Sequence, residues 1–361
     1  MPYTEPHGFG AGLLRRWSGT LRAALLSGAL AAATLSGSAS AQTPGPITLE
    51  ATGSFFVGGQ DTQSDWLSPT PGAPGGAWTA NQMYVQYQRP YGASHLPMVL
   101  IHGCCLTGKT WETTPDGRMG WYEYFVRRGF PTFVIDQAAR GRSGFNTPSI
   151  NEVAQGKADA SQLPPISFTS HESAWTIFRF GLQFPDAFPG QQFPMWTAAP
   201  EGEFWKQMVP DLNRSLPQPT PTVAALSQLS ISLAGAVLVS HSQSGIFPFQ
   251  AAGISTQGIA GIIAVEPGAC TNLDVNAVAK VPTLILFGDY VSQFANWSNN
   301  LQACTDFATQ VKAAGGNIQV LQLPSINIFG NSHMLMQDRN NLVIADLLVQ
   351  WVQDNVEKVQ H

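Results

Sequence analysis

The chain has 361 residues, 44% of them hydrophobic and 11% charged, with 35 Gly, 26 Pro and a net charge of −5. That balance excludes a disordered chain and implies a loop-rich globular protein with a large core. Neither a basic stripe nor an RNA or DNA module is present, so nucleic acid is excluded as an expected partner.

In chain order, the first segment stands apart. Arg15, Arg16 and Arg22 precede or open an Ala/Leu-rich stretch from Leu21 to Leu35, which ends in Ser38-Ala39-Ser40-Ala41. This pattern predicts a signal peptide over residues 1–41. It is too short and too Ala-rich for a comfortable span, so export to the periplasm or medium is expected, without a stable membrane anchor. Without these residues, 15 Lys+Arg face 22 Asp+Glu, a net charge of −7.

Residues 42–80 are rich in Gly, Pro and Ser and hold short strand candidates at Ile47–Thr52 and Ser54–Val57. Met83–Gln88 alternates like a strand, and Pro97–Ile101 is a short apolar strand ending at His102-Gly103. Trp121–Arg128 reads as helix, and Thr132–Ile135 as a buried strand ending at Asp136. Asp136 reads as a turn residue with Arg140-Gly141-Arg142-Ser143-Gly144. The stretch from Thr147 to about Pro221 breaks the alternation. It is Pro-rich and dense in rings, including Phe168, Trp175, Phe178, Phe180, Phe204 and Trp205, and too long for a plain connection. A cap over a site is expected there, with most rings packing its own core and a few facing a pocket. Strands then return at Ala236–Val239, Ile259–Val265, Thr283–Phe287 and Ile318–Gln322, with helices at Gly245–Ala252, Leu301–Ala314 and near Asn341–Val356. Short apolar strands alternating with helices predict an α/β domain over 42–361, with a mostly parallel central sheet covered by helices on both faces.

One junction carries chemistry. Val237-Leu-Val-Ser240-His241-Ser242-Gln243-Ser244-Gly245 runs from a strand through a sharp turn into a helix, the setting of a nucleophile elbow. The nucleophile there sits at strained, usually positive φ, and strand and helix pass close together, so the residues two before and two after it must be small. Ser240 has Leu238 two before it, and Ser244 has Ile246 two after it. Ser242 has Ser240 and Ser244, which selects Ser242. The competing reading is a Ser-rich turn whose hydroxyls cap a helix.

A serine hydroxyl needs a base, and in this setting the order along the chain is Ser, acid, His. Of seven His, only His333 and the terminal His361 follow Ser242, so His333 is the expected base. The acid is Glu266 or Asp289. Many such hydrolases place it three residues after a Gly that here is Gly288, but that residue is Val291. Glu266 ends the strand after the elbow and is favoured, with the role of fixing the tautomer of His333. The backbone N–H groups of Gln243 and Cys104 are the expected oxyanion donors.

The four cysteines, Cys104, Cys105, Cys270 and Cys304, form an even set in an exported chain, which favours disulfides with three possible connectivities. A Cys104–Cys105 bridge would span one peptide bond, with Cα atoms ~3.8 Å apart, and would leave Cys270 and Cys304 to pair. Two free thiols, or one of them pairing with Cys270, are the alternatives. No C-x-x-C or His cluster is present, so neither a metal nor another cofactor is expected.

The string His102-Gly-Cys-Cys-Leu-Thr-Gly-Lys-Thr-Trp111, the elbow and Val265-Glu-Pro267 together resemble the bacterial esterase 713-like branch of the α/β-hydrolases over most of 42–361. The resemblance implies an α/β-hydrolase fold and a Ser–Glu–His triad of Ser242, Glu266 and His333. It also implies a disulfide between Cys104 and Cys105 beside an oxyanion hole built by Cys104 and Gln243, and a second between Cys270 and Cys304. The expected function is an exported serine carboxylesterase acting on a small uncharged apolar or aromatic ester. Trp111, Met334 and some cap rings are pocket candidates, and pairing with a second copy of the chain is allowed. An amidase or lactonase with the same triad, or a non-catalytic binding protein on the same fold, are the rival readings.

Overall fold

Eight strands form one sheet in the order β1-β2-β4-β3-β5-β6-β7-β8. The computed structural model describes residues 45–194 and 198–358; the expected signal peptide and His361 lie outside the described residues. The strands are β1 (Leu49–Ser64), β2 (Gly76–Pro90), β3 (Met98–Ile101), β4 (Thr132–Asp136), β5 (Ala236–His241), β6 (Ile259–Val265), β7 (Thr283–Phe287) and β8 (Ile318–Gln322). From β4 to β8 across the sheet all neighbours are parallel, while β1 and β2 add an antiparallel edge.

The helices are α1 (Trp121–Arg127), α2 (Pro148–Ala154), α3 (His171–Ile177), α4 (Ala198–Lys206), α5 (Pro221–Ser232), α6 (Phe247–Ile254), α7 (Val275–Val278), α8 (Ala295–Ala313) and α9 (Asn341–Val352). Alternate residues of β5 feed two cores. Val237 and Val239 pack with α1 and α9, and Ala236 and Leu238 pack with α5, α6 and α8. Burying each such Val or Leu is worth about 1.5–3 kcal/mol, so a central strand with no polar face is driven between two helical layers. Among the described residues, no helix is long and apolar enough to cross a membrane.

The edge hairpin differs from its short sequence candidates. β1 and β2 stay paired out to Ser64↔Gly76, although β2 meets β4 only from Tyr84 to Gln88. The outer half projects beyond the sheet and is held by its own backbone ladder, so burial imposes no clear apolar alternation there. α8 also starts earlier than Leu301, at Ala295, which brings buried Trp297 into its first turn.

The topology creates the crevice. From β3 the chain steps outward to β4, then crosses back to β5 on the other side of β3. Loops leaving β3 and β5 therefore diverge at their carboxyl ends, where ligands bind in open α/β sheets. The crossing segment contains α2 to α5 and the aromatic stretch 147–221.

Candidate active site

Register brings the sequence candidates together. Ile101 lies opposite Ser240, His241 opposite Val265, and Val265 opposite Leu286. Ser242 and Glu266 therefore leave neighbouring parallel strands at the same level. Ser242 has φ 57° and Glu266 φ 52°. Each such non-glycine conformation costs about 1–3 kcal/mol and persists only where its surroundings enforce it.

Close packing supplies that enforcement. The Gly268 N–H donates to the Ser242 carbonyl at 2.8 Å. A Cβ on Gly245 would come within 2.5 Å of Pro267, and one on Gly103 within 2.8 Å of the Ser242 Cβ. Glycine at 103 thus lets the loop after β3 lie directly against Ser242. Ser244 closes the turn: its Oγ accepts the His241 N–H at 3.1 Å and shares its one proton between the carbonyls of Ile101 and His241, both at 2.9 Å.

His333 arrives from the loop after β8. Its Nδ1 bonds Glu266 Oε2 at 3.1 Å, which makes Nδ1 the protonated nitrogen of the neutral ring. Nε2 is buried and makes no hydrogen bond among the described residues, so it remains an unused acceptor. His333 and Glu266 are fully buried, whereas Ser242 keeps 9% of its surface accessible. Burial pushes the His333 pKa down, opposed by the Glu266 hydrogen bond and charge. Burial pushes Glu266 up, but the charge of Arg179 and hydrogen bonds from His333 and Arg179 outweigh it and hold the carboxyl at about 2.

The loop around His333 has its own frame. Buried Asp338 accepts from the backbone N–H of Ser332 at 2.9 Å, from Ser332 Oγ at 2.7 Å and from Asn331 Nδ2 at 2.8 Å. Burial pushes Asp338 up to about 7 despite those bonds. His241, inside the elbow, bonds the His333 carbonyl through Nε2 at 2.9 Å. Burial, and then His333, keep His241 uncharged, so Nε2 is the donor.

At the opposite side lies the loop Gly103-Cys104-Cys105. His102 Nδ1 and Arg140 Nη1 bond the Gly103 carbonyl at 2.9 and 2.8 Å. In a trans peptide the next N–H points the opposite way, so these two bonds set the direction of the Cys104 N–H. That N–H has no hydrogen bond among the described residues. Gln243 occupies the first turn of the short helix Ser242–Ile246, where backbone donors lack an intrahelical acceptor. The Gln243 side chain is fixed between Arg140 Nη2 at 2.8 Å and Asp211 Oδ2 at 2.9 Å.

Two cysteine expectations part ways. Cys270 and Cys304 form a disulfide. The Cys104 and Cys105 Sγ atoms lie 2.6 Å apart, longer than the ~2.05 Å of a disulfide and much shorter than two unbonded sulfurs approach, so the bridge stays a proposal. Cys105 sits at φ 59° in that loop. The Cys104 thiol is engaged by Asp211 Oδ2 at 3.2 Å.

Asp289 does not reach His333. Its carboxylate accepts the N–H groups of Tyr290 at 2.7 Å and Gly330 at 2.8 Å. Asp136 holds its turn, accepting from Gly108 N at 2.7 Å and Arg142 N at 2.9 Å. Trp111 and Met334 are buried in the same apolar cluster as Phe178 and Phe204, with the Trp111 ring edge-on to His241 at 6.4 Å.

Four side chains escaped the sequence reading: Arg179, Arg140, Asp211 and His241. Arg179 makes a two-point contact with both Glu266 oxygens. Its one sequence signal is a charge among the rings of the 147–221 stretch. Asp211 pairs with Arg140, and Asp211 also comes from that stretch.

No family model matches the chain. A solved structure of a bacterial esterase shares 52% of its sequence, covers 87% of this chain and 98% of its own, and superposes with a TM-score of 0.83. A probable secreted lipase, phiG, of a fungal species (strain ATCC 74256) is 24% identical over 345 residues, covering 77% of this chain and 88% of the lipase.

Proposed function

The chain belongs to the α/β-hydrolase superfamily, in one family with the bacterial esterase just compared, and from that premise we propose that it is an exported serine carboxylesterase. The observation that carries the mechanism is the buried Glu266–His333 hydrogen bond, with Ser242 held at positive φ at the end of the strand next to that of Glu266.

Ser242 Oγ attacks the ester carbonyl while Nε2 of His333 takes its proton. Glu266 keeps Nδ1 protonated and stabilises the imidazolium that forms. The carbonyl oxygen becomes an oxyanion held by the N–H groups of Cys104 and Gln243. His333 then hands its proton to the departing alcohol, leaving an acyl group on Ser242. Water, deprotonated by His333, attacks that acyl group and releases the carboxylic acid. The side chain of Cys104 takes no part.

The aromatic stretch 147–221 serves as a cap. Its Phe178 ring stacks parallel to His333 at 5.7 Å, and Phe204 packs on Phe178 at 5.5 Å. Those apolar surroundings of the base suit an uncharged acyl or aromatic ester better than a charged one. Export is supported by the Ala/Leu-rich leader with its small-residue end, by the Cys270–Cys304 disulfide and by the likeness to a secreted lipase.

A fluorophosphonate probe is expected to label Ser242 in the folded protein, and Ser242→Ala is expected to abolish labelling and turnover. A folded wild-type protein that stays unlabelled would sink the proposal. Matched ester, lactone and amide substrates separate the reaction classes, and the ester is expected to turn over fastest.

A further inference from the structure

We propose that Arg179 is a positioning residue for the base: its guanidinium grips both oxygens of Glu266 and shares that carboxylate's charge with His333. The inference rests on the Ser242–His333–Glu266 reading above and adds a member supplied by the inserted segment.

Arg179 is fully buried. Its Nη1 donates to Glu266 Oε2 at 2.7 Å and its Nη2 to Oε1. Nε donates to the Asp289 carbonyl at 2.9 Å, and the guanidinium lies 5.1 Å from the Trp297 ring centre. Each carboxylate oxygen thus has two donors: Oε2 takes Arg179 and His333, and Oε1 takes Arg179 and the Gly288 N–H. No rotation of Glu266 is left that would keep this set. A two-point fork is what fixes a carboxylate plane, which a single ammonium cannot do.

The residues before Arg179 point the same way. The Ile177 carbonyl accepts from Trp297 Nε1 at 3.0 Å, and the Phe178 carbonyl accepts from the backbone N–H of His333 at 2.9 Å. Trp297 in turn packs its ring 4.3 Å from that of His333. Three consecutive residues at the end of α3 therefore touch the base, the acid and the ring that packs on the base and on Arg179.

Counting charges gives the arrangement a purpose. In the resting site Arg179, Glu266 and neutral His333 sum to zero. Protonating His333 alone leaves a buried net positive charge, which a dry interior resists. Protonating it as the oxyanion forms restores zero. The guanidinium thus disfavours a resting imidazolium while tolerating one in the transition state, which is differential stabilisation. Without Arg179 the unshared carboxylate would favour resting His333 as imidazolium. The groups facing His333 and Glu266 are Arg179, uncharged His241 and Asp338, with the Asp289 carboxylate turned to Tyr290 and Gly330. In the variants below only Arg179 changes.

The test compares Arg179→Met and Arg179→Lys in the full protein with a neutral p-nitrophenyl ester, reading kcat and the acid limb of kcat/KM. That limb reports protonation of the base in the free enzyme. Removing the positive charge raises the pKa of His333, so Arg179→Met is expected to move the limb upward by about one pH unit and to lower kcat. Arg179→Lys is expected to keep the limb in place and lower kcat at least severalfold, because charge survives and the fork does not. A folded Met variant with an unmoved limb overturns the inference, as does a Lys variant with wild-type kcat or with a shifted limb. Should the Met variant fail to fold, the Lys variant decides alone by the same criteria. Fluorophosphonate labelling of wild-type Ser242 keeps the two readings apart: absent labelling sinks the triad, whereas normal labelling with either overturning result sinks Arg179 only.

Discussion

The two ends of the site each use a buried arginine–carboxylate pair, with opposite polarity. At the acid–base end the inserted segment supplies the cation, Arg179, and the sheet supplies the anion, Glu266. At the oxyanion end the inserted segment supplies the anion, Asp211, and the loop after β4 supplies the cation, Arg140. Both pairs are buried, yet they do different jobs. Arg179 touches a proposed triad member directly. Arg140 and Asp211 act on the frame: they hold the Gly103 carbonyl, the Gln243 amide and the Cys104 thiol. On the proposed mechanism the first end tunes a charge, and the second aims backbone donors. Removing one partner of a buried ion pair costs about 3–5 kcal/mol, a large share of the ~5–15 kcal/mol that holds a domain folded. Tests of either end therefore favour near-isosteric changes.

The sharpest way to break the comparison is at the acid. Glu266→Gln is expected to lower kcat by on the order of 10⁴-fold, as loss of the tautomer-fixing charge does in such triads. Asp289→Asn is expected to cost less than about tenfold, because Asp289 only ties neighbouring turns. Steady-state assays of both variants check this, and the reverse order would mean that the acid has been misassigned. At the other end, Asp211→Asn keeps the shape and removes the charge. It is expected to lower kcat by about ten- to a hundredfold through misplaced oxyanion donors, with the acid limb of kcat/KM unmoved. A shifted limb would erase the distinction between a charge-tuning end and an aiming end. The smallest effect belongs to Cys104→Ser, expected within about threefold of wild type, since oxyanion stabilisation at this position needs the backbone N–H. A loss of a hundredfold would give the sulfur a role that the mechanism denies it.

Legibility followed the kind of contact involved. Ser242 could be chosen because its flanks are small, a local property, and the structure brings its carboxyl-end neighbour Glu266 level with it through parallel register. His333 could be chosen from chain order, and Glu266 from the missing carboxylate at Val291. The strands from Pro97 to Phe287 were legible because each is short, apolar and buried on both faces, whereas β8, at the sheet edge, exposes Gln319 and Gln322. Arg179 and Asp211 were not. Arg179 meets Glu266 across 87 residues, and Asp211 meets Arg140 across 71, from segments without helical or strand period. No local rule ties a loop arginine to a distant strand end. The positive φ at Glu266 and Arg179 was equally hidden, because neither residue type favours that conformation. The β1–β2 hairpin was underread because its outer half is held mainly by backbone pairing, with few buried apolar side chains to mark it.

The docking of Ile177, Phe178 and Arg179 has a consequence for how the enzyme is born. These residues are synthesised well before Glu266, Trp297 and His333, the partners they seal against. An N-terminal portion emerging first has nowhere to bury them, and its base and acid do not yet exist. On the proposed triad, hydrolysis begins only when the last third of the chain has closed over the middle. Its onset would then mark the completed molecule, and a shortened chain lacking His333 is expected to be silent toward esters.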